Sequence, residues 1–432
     1  MQIIYIFLFT FLLHGQVLAQ LSTQKKIFTR ADTLRGSLRP ERTCYDVLFY
    51  ELRLNLDTGQ RTIAGSVEMT FKAVDDVRTL QLDLNDSFTI EKITCNNLSL
   101  PFTRECSAVF IAFPNAIKKG TQAMLHIDYL GKPKQAKNAP WDGGFVWKRD
   151  SNNKPWIGVA CEGLGASSWW PCKDHNSDEP DNGVRVMCTV PSNLKCIANG
   201  KEELFFSNKN GTTTYSWLVS YPINLYNVTL NIGDYVFFKD SYKNIDGTTF
   251  PLNYYVLREN LEKAKRQFTQ VKPMMQCYEK FLGPYPFPRD GYKLVETPYL
   301  GMEHQSAIAY GNQYKTGYNG NDFSRIGLDF DYIIIHETGH EWWGNSVSCA
   351  DLADMWIHEG FCTYSESIYV ECLFDRKKSL QYINAKKASV LNAAPIKGPY
   401  TGVNEEGDGD MYTKGSLLLN TLRTVVNSDL LW

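Results

Sequence analysis

From Tyr45 to Leu56 apolar and polar residues alternate, with Leu48, Tyr50, Leu52, Leu54 and Leu56 on one face. A period of two marks a strand with one buried side. Thr58-Gly59-Gln60 then turns the chain, and Thr62 to Lys72 alternates again through Val67, Met69 and Phe71, which predicts a hairpin. Short alternating segments with turn residues between them, such as Asp181-Asn182-Gly183 and Asn210-Gly211, continue to about residue 235. No long periodic helix interrupts them. This pattern predicts an antiparallel β domain of sandwich or saddle type. Near Ser241 the pattern changes. Asn260 to Phe281 carries charged and apolar residues at helical spacing, Phe281 to Asp290 is a Pro/Gly-rich loop, and helices dominate from Asp322. An all-β domain over 20–240 followed by a mixed α/β domain over 241–432 is expected. There is no repeat and no low-complexity tract.

With 432 residues, 43% of them hydrophobic, the chain can fill more than one core. A formal charge of −2 with no basic stripe gives no support to nucleic-acid binding. The longest uncharged apolar run is Ile3 to Leu13, broken only by Thr10 and followed by Val17-Leu18-Ala19. It reads as a signal peptide over 1–19, cleaved after Ala19, and so as export to the periplasm, the cell surface or the medium. An uncleaved anchor is the rival, for which the run is short. Eleven cysteines leave at least one unpaired within the chain, and Cys161–Cys172 and Cys188–Cys196 are each open as bridges. The tripeptides at Asn85, Asn97, Asn210 and Asn227 fit the N-glycosylation acceptor pattern.

The chemistry is concentrated in His336-Glu337-Thr338-Gly339-His340, with Glu359 after eighteen intervening residues. On a helix His336 and His340 share one face and can grip a single ion. Zinc takes two imidazoles and a carboxylate and leaves a fourth position for water, whose pKa it lowers to about 7. Glu337, one step round from His336, is placed as the base. Asp331-Tyr332-Ile333-Ile334-Ile335 reads as the helix start and Gly344-Asn345 as its stop. An amphipathic helix from Met355 to Phe374 then returns antiparallel and delivers Glu359. Glu366, seven residues on, lies on the same face, either as acceptor for a ligand histidine or as a solvated acid.

Four segments in order, HETGHEWWGN from His336, WIHEGFCTYSE from Trp356, GMEH from Gly301 and YTKG from Tyr412, resemble the zinc aminopeptidase family of aminopeptidase N and leukotriene hydrolase. The resemblance covers about residues 40 to 432. It implies a thermolysin-like α/β catalytic domain after the β domain, one zinc ion per chain, and peptide substrates with a free N-terminus. It also implies site roles. Gly301, Met302 and Glu303 match a strand whose glutamate binds the substrate amine, and Glu162, nine residues before Pro171-Cys172-Lys173-Asp174, resembles its second acid. Tyr412 resembles the tyrosine that donates to the oxyanion.

Departures are several. Leu300 and His304 replace the usual Gly and Asn. His304 is either a strand histidine with a local hydrogen bond or a wall of the first substrate pocket. His175-Asn176-Ser177 reads as a small inserted surface loop. Gly339 stands where the family commonly has Ala, at a cost of about 1 kcal/mol inside a helix, which points to close packing against a neighbour. Glu341 replaces a common Gln. His358 replaces a common Asn and points away from the metal, as a supporting residue rather than a ligand. Family members carry a helical domain after the zinc domain; a chain stopping at Trp432 is expected to lack it, either as a short gene product or as a fragment of a longer chain. The expected function is a zinc aminopeptidase. The alternatives are an endopeptidase, for which Glu303 and Glu162 would have no purpose, and an inactive protein of the same fold, against which the full ligand set argues. Epoxide hydrolase activity has no support in these residues, and oligomeric state is not legible.

Overall fold

The computed structural model describes residues 27–400 and 402–429; the apolar segment read as a signal peptide lies outside them. Three sheets build the first part of the chain. The largest has eight strands, running in space from Lys201–Ser207 at one edge through Thr212–Val219, Val184–Pro191, Tyr45–Asp57, Thr62–Ala73, Gln122–Gly131 and Phe88–Cys95 to Leu98–Ser99. A three-stranded sheet (Val77–Asp83, Ala108–Ile117, Phe102–Glu105) and a four-stranded one (Lys195–Ala198, Leu230–Gly233, Pro155–Ala160, Gly144–Arg149) complete it. The hairpin expected at Thr58 forms. However, a bulge between Val47 and Phe49 shifts the register, so Tyr45 and Val47 join Tyr50, Leu52, Leu54 and Leu56 in the core while Leu48 does not. One extra residue in a period-two pattern moves everything before it to the other face.

A five-stranded sheet follows, in the order Tyr235–Lys243, Thr249–Leu257, Tyr292–Glu296, Ile308–Tyr310, Gly301–Met302. Its last member is an edge strand. Among the described residues eight α-helices occur: α1 Arg30–Gly36, α2 Pro40–Thr43, α3 Leu261–Gln267, α4 Val271–Leu282, α5 Tyr332–Gly339, α6 Trp356–Leu373, α7 Arg376–Ala385 and α8 Asp410–Val426. The helical pattern over Asn260 to Phe281 is split between α3 and α4 by a 3-10 turn, with Pro273 in the first turn of α4, where its missing N–H is tolerated. Contrary to the amphipathic reading, α6 is buried almost all round, because α4, α5, α7 and α8 all pack on it.

Neither Cys161–Cys172 nor Cys188–Cys196 is bridged; all four thiols are free and buried. The disulfide is Cys277–Cys372, which ties α4 to α6 across 95 residues. Proximity in sequence is the wrong guide here, since strands and helices, not short loops, decide which thiols meet. Asn227 is fully buried and donates its amide to Asn345 Oδ1 at 2.6 Å, so that acceptor tripeptide is closed in the folded chain.

Candidate metal centre and amine pocket

Helix α5 is held at its start by Asp331. Rather than lying in the first turn, Asp331 is the N-cap, with Oδ1 accepting from Ile333 N at 3.1 Å. The same buried carboxylate accepts from Asn312 Nδ2, Tyr310 Oη and Gln267 Nε2 at 2.6–2.8 Å, which fixes the helix to the sheet and to α3. The helix ends at Gly339, earlier than Gly344-Asn345, because the chain wraps back through residues 340–345. That wrap has a chemical result. Trp343 O accepts from His340 Nδ1 at 2.9 Å. A carbonyl only accepts, so the proton sits on Nδ1 and Nε2 carries a free lone pair.

His336 is fixed in the same tautomer by Glu366, whose Oε1 lies 2.8 Å from Nδ1. Glu366 is fully buried, not solvated, and is itself held by Tyr382 Oη at 2.6 Å and Lys386 Nζ at 2.8 Å. No pattern in the chain points to these two supports, which come from α7 and the turn after it. His336 Nε2 and His340 Nε2 are 3.3 Å apart, and Glu359 Oε2 lies 3.5 and 3.6 Å from them. Glu359 Oε2 is buried without a hydrogen-bond partner among the described residues. Three donor atoms of ligand type therefore converge on one point. Ligands about 2.0–2.2 Å from a tetrahedral ion sit about 3.3–3.6 Å apart, so a zinc ion fits this triad in distance and in donor type. Cys362 and Glu303 also come within ligand reach of part of the set. Both are engaged elsewhere: Cys362 Sγ donates to His336 O at 2.8 Å, and Glu303 Oε1 accepts from Tyr226 Oη at 3.1 Å.

Glu337 is 8% exposed and borders a cavity of about 720 Å³ together with the triad. Burial pushes its carboxyl up to about 7, against the pull of His336 and His340. A divalent ion at the adjacent donors would draw it back down. Gly301 packs directly behind it: a methyl group there would come within 2.5 Å of Glu337 Oε1. At position 339 a methyl would meet Cys362 Sγ at 2.9 Å, which is the close neighbour that glycine accommodates. Gly339→Ala is therefore expected to destabilise the fold by about 1–3 kcal/mol, with most of it recovered in Gly339→Ala/Cys362→Ala. Urea unfolding of both variants checks this, and a neutral single variant would remove the steric account.

Helices α6 and α8 cross at two glycines. A methyl on Gly415 would fall 3.1 Å from Gly360 Cα, so any larger side chain would push the two helices apart by a few tenths of an ångström. Glu359 precedes the first glycine and Tyr412 lies three residues before the second, so this crossing brings the phenol to the metal donors. The Tyr412 ring stacks near His336 with centroids 6.4 Å apart and borders the cavity. Burial, then Glu359, Glu162 and Glu303, push the phenol well up, so it keeps its proton.

The edge strand Gly301–Met302 and Glu303 line the same cavity, as does Glu162 from the loop after strand Pro155–Ala160. Glu303 is 3% exposed, and Glu162 Oε1 is buried with no partner among the described residues. Burial pushes both carboxyls up, and Glu303 and Glu359 add to the effect on Glu162. Among the described residues no lysine or arginine pairs with either acid, and an ammonium placed between them would draw both carboxyls back to the ionised form. The two acids come from different domains, whose junction is pinned by Asn224 Nδ2 to Gly344 O at 2.7 Å, Asn199 Nδ2 to Gln305 O at 2.8 Å and Ser348 Oγ to Glu179 Oε1 at 2.6 Å.

Three supporting residues differ from expectation or extend it. His304 is fully buried, does not line the cavity, and has neither ring nitrogen hydrogen-bonded among the described residues; burial pushes it down to about 3 and keeps it neutral. His175 is not on the surface but 3% exposed, and its neighbour Asn176 reaches Cys349 of the second domain. Glu341 accepts from Tyr285 Oη, Ser306 N and Asn345 Nδ2 at 2.5–3.0 Å, anchoring the segment after Glu303. Exposed Trp141 and Phe323 stand at the cavity mouth, where sequence reasoning does not find them, since lone aromatics in loops carry no pattern.

Residues 47–226 match the peptidase M1 N-terminal domain and residues 266–431 the peptidase family M1 domain. The chain is 24% identical over 337 residues to leukotriene A-4 hydrolase of Xenopus laevis, covering 74% of this chain and 51% of that protein. It is also 24% identical over 414 residues to leucyl aminopeptidase of Saccharolobus solfataricus, covering 88% of this chain and 47% of the other. The chain thus spans about half the length of these curated relatives. A zinc metallopeptidase of family M1 from Deinococcus radiodurans, bound to a Tyr-Ser-Ala substrate, shares the fold with a TM-score of 0.69 at 22% identity, covering 88% of this chain and 82% of that one.

Proposed function

The chain belongs to peptidase family M1, and on that premise we propose that it is a zinc-dependent aminopeptidase that removes the first residue from peptides with a free N-terminus. The observation that carries this reading is the pair Glu303 and Glu162, which line one cavity with the His336, His340, Glu359 triad and would close its amine end. Two buried carboxyls with no lysine or arginine paired to them among the described residues suit an ammonium, whose charge favours their ionised form and makes charge-assisted hydrogen bonds. An endopeptidase would have peptide chain at that end and no use for them.

His336, His340 and Glu359 would hold the zinc, which when bound supplies a Lewis acid and makes water acidic enough to attack at neutral pH. Glu303 and Glu162 hold the substrate's ammonium. The free edge of strand Gly301–Met302 offers backbone groups to the extended substrate. Glu337 accepts a proton from the attacking water as the new C–O bond forms on the scissile carbonyl. The Tyr412 hydroxyl donates to the resulting oxyanion. Glu337 then passes the proton to the leaving nitrogen as the C–N bond breaks, and no covalent adduct with the protein forms. Export is part of the same proposal and is supported by Ile3 to Leu13 and Val17-Leu18-Ala19. Among the described residues no helix is long and apolar enough to cross a membrane.

The test is a panel of fluorogenic aminoacyl amides, each free and N-acetylated, before and after chelation. Release from the free amines alone, abolished by the chelator and restored by zinc, is the expected result. In Glu303→Ala the KM for free amines should rise by about 10-fold or more, since a hydrogen bond to a charged group is worth about 1.5–3 kcal/mol. Equal cleavage of acetylated substrates by the unmodified protein would favour an endopeptidase.

A further inference from the structure

Glu303 is held by a chain of hydrogen bonds whose direction can be deduced from one end. The backbone N–H of Cys349 donates to His358 Nε2 at 2.8 Å. An amide N–H cannot accept, so Nε2 is unprotonated and the proton of the neutral ring is on Nδ1. Nδ1 faces the Tyr226 hydroxyl at 3.3 Å, and that hydroxyl lies 3.1 Å from Glu303 Oε1. The Tyr226 O–H donates its hydrogen bond to the carboxylate, which leaves the phenol oxygen to accept from His358. The polarity therefore runs one way: Cys349 N–H to His358, His358 to Tyr226, Tyr226 to Glu303.

All three side chains are buried, Tyr226 at 3%, His358 at 0% and Glu303 at 3% exposure. They come from three places: the 3-10 turn Leu225–Asn227 of the first domain, helix α6, and the segment after strand Gly301–Met302. Tyr226 is the only side chain that donates to the Glu303 carboxylate among the described residues. Its own backbone oxygen accepts from Cys161 Sγ at 3.4 Å, the residue before Glu162. Gly344 makes room for the relay, since a methyl there would lie 3.2 Å from His358 Nδ1.

We propose that Tyr226 and His358 are positioning residues of the amine pocket, which fix Glu303 by a neutral donor at Oε1 and leave its charge and its other oxygen for the ammonium of the substrate. A lysine or arginine could orient the carboxylate equally well but would cancel the charge that recruits the amine. A relay of neutral groups ending on a backbone N–H orients without neutralising. This inference rests on the aminopeptidase reading, and deepens it by naming what sets the preference for a free N-terminus over a blocked one.

The test measures binding without turnover. Zinc-loaded Glu337→Gln protein is titrated calorimetrically with Tyr-Ser-Ala and with its N-acetyl form, and the ratio of the two Kd values is the amine preference. Adding Tyr226→Phe, which removes only the hydroxyl, should lower that ratio by about 10-fold. General loosening of the site would weaken both ligands alike and leave the ratio unchanged. The two histidine isosteres separate the halves of the relay. His358→Gln keeps an acceptor near Nε2 but loses the Nδ1 donor, and should lower the ratio as Tyr226→Phe does. His358→Asn keeps a donor near Nδ1 and should lower it less. If Glu337→Gln protein shows no amine preference, the aminopeptidase reading itself fails. If it shows one that survives both Tyr226→Phe and His358→Gln, the relay is structural and this inference is overturned. Should Tyr226→Phe fail to fold, the ratio measured in His358→Gln alone decides between the two outcomes.

Discussion

Glu337→Gln is expected to lower kcat by about 10²–10⁴-fold on any free-amine substrate while the protein still binds one zinc ion per chain. Glutamine has the shape of glutamate but cannot take a proton from water or return one to the leaving nitrogen. Its neighbours are otherwise undisturbed. Gly301 behind the side chain has no methyl to move, and the three metal donors are held by partners that do not touch Glu337: Glu366 for His336, Trp343 O for His340, and the α6 backbone for Glu359. Steady-state rates and metal analysis on the same sample check both halves of the expectation. A variant that retains most of its activity, or that loses its zinc, would rule out Glu337 as the proton carrier.

Tyr412→Phe is expected to cost about 10²–10³-fold in kcat with KM little changed. A hydrogen bond from the phenol to the substrate carbonyl strengthens as that oxygen becomes an oxyanion, so its loss falls mainly on the transition state. Equal rises in KM and falls in kcat/KM, with kcat intact, would instead make Tyr412 a substrate-binding residue. The position of this hydroxyl depends on the contact of Gly360 with Gly415, where helices α6 and α8 approach closely enough that a methyl on either glycine would crowd the other.

The chemistry of this chain is legible in its sequence because the residues are close together and set by a single helical period. Two histidines four apart with a glutamate between them leave few other geometries, and Glu359, His336 and His340 do converge. What is not legible depends on contacts between distant segments. The bulge that removes Leu48 from the core face is a property of strand pairing, and no residue type marks it. Helix α6 carries Ser, Thr, Cys and Glu at positions that look solvent-facing, yet four helices cover them, so its pattern misreads as amphipathic. The pairing of Cys277 with Cys372 follows from α4 lying against α6. His175 and Asn227 are buried by the domain junction, which no local pattern reveals. Tyr226, Tyr382 and Lys386 escape a sequence reading for the same reason, as their roles exist only through partners many residues away.

The division of labour between the domains has a consequence for where a peptide would be cut. Every metal donor, and Glu337, lies on α5, its C-cap or α6, within one domain. The acids that would receive the ammonium are split, Glu303 on that domain and Glu162 on the other. Hydrolytic competence is therefore local, whereas the length from the chain terminus to the scissile bond is measured across a junction that shared apolar packing and polar contacts hold together. Cleavage register is then a property of assembly. Small shifts between the domains would let longer overhangs reach the metal centre, and errors in counting residues would appear before any loss of bond-breaking power.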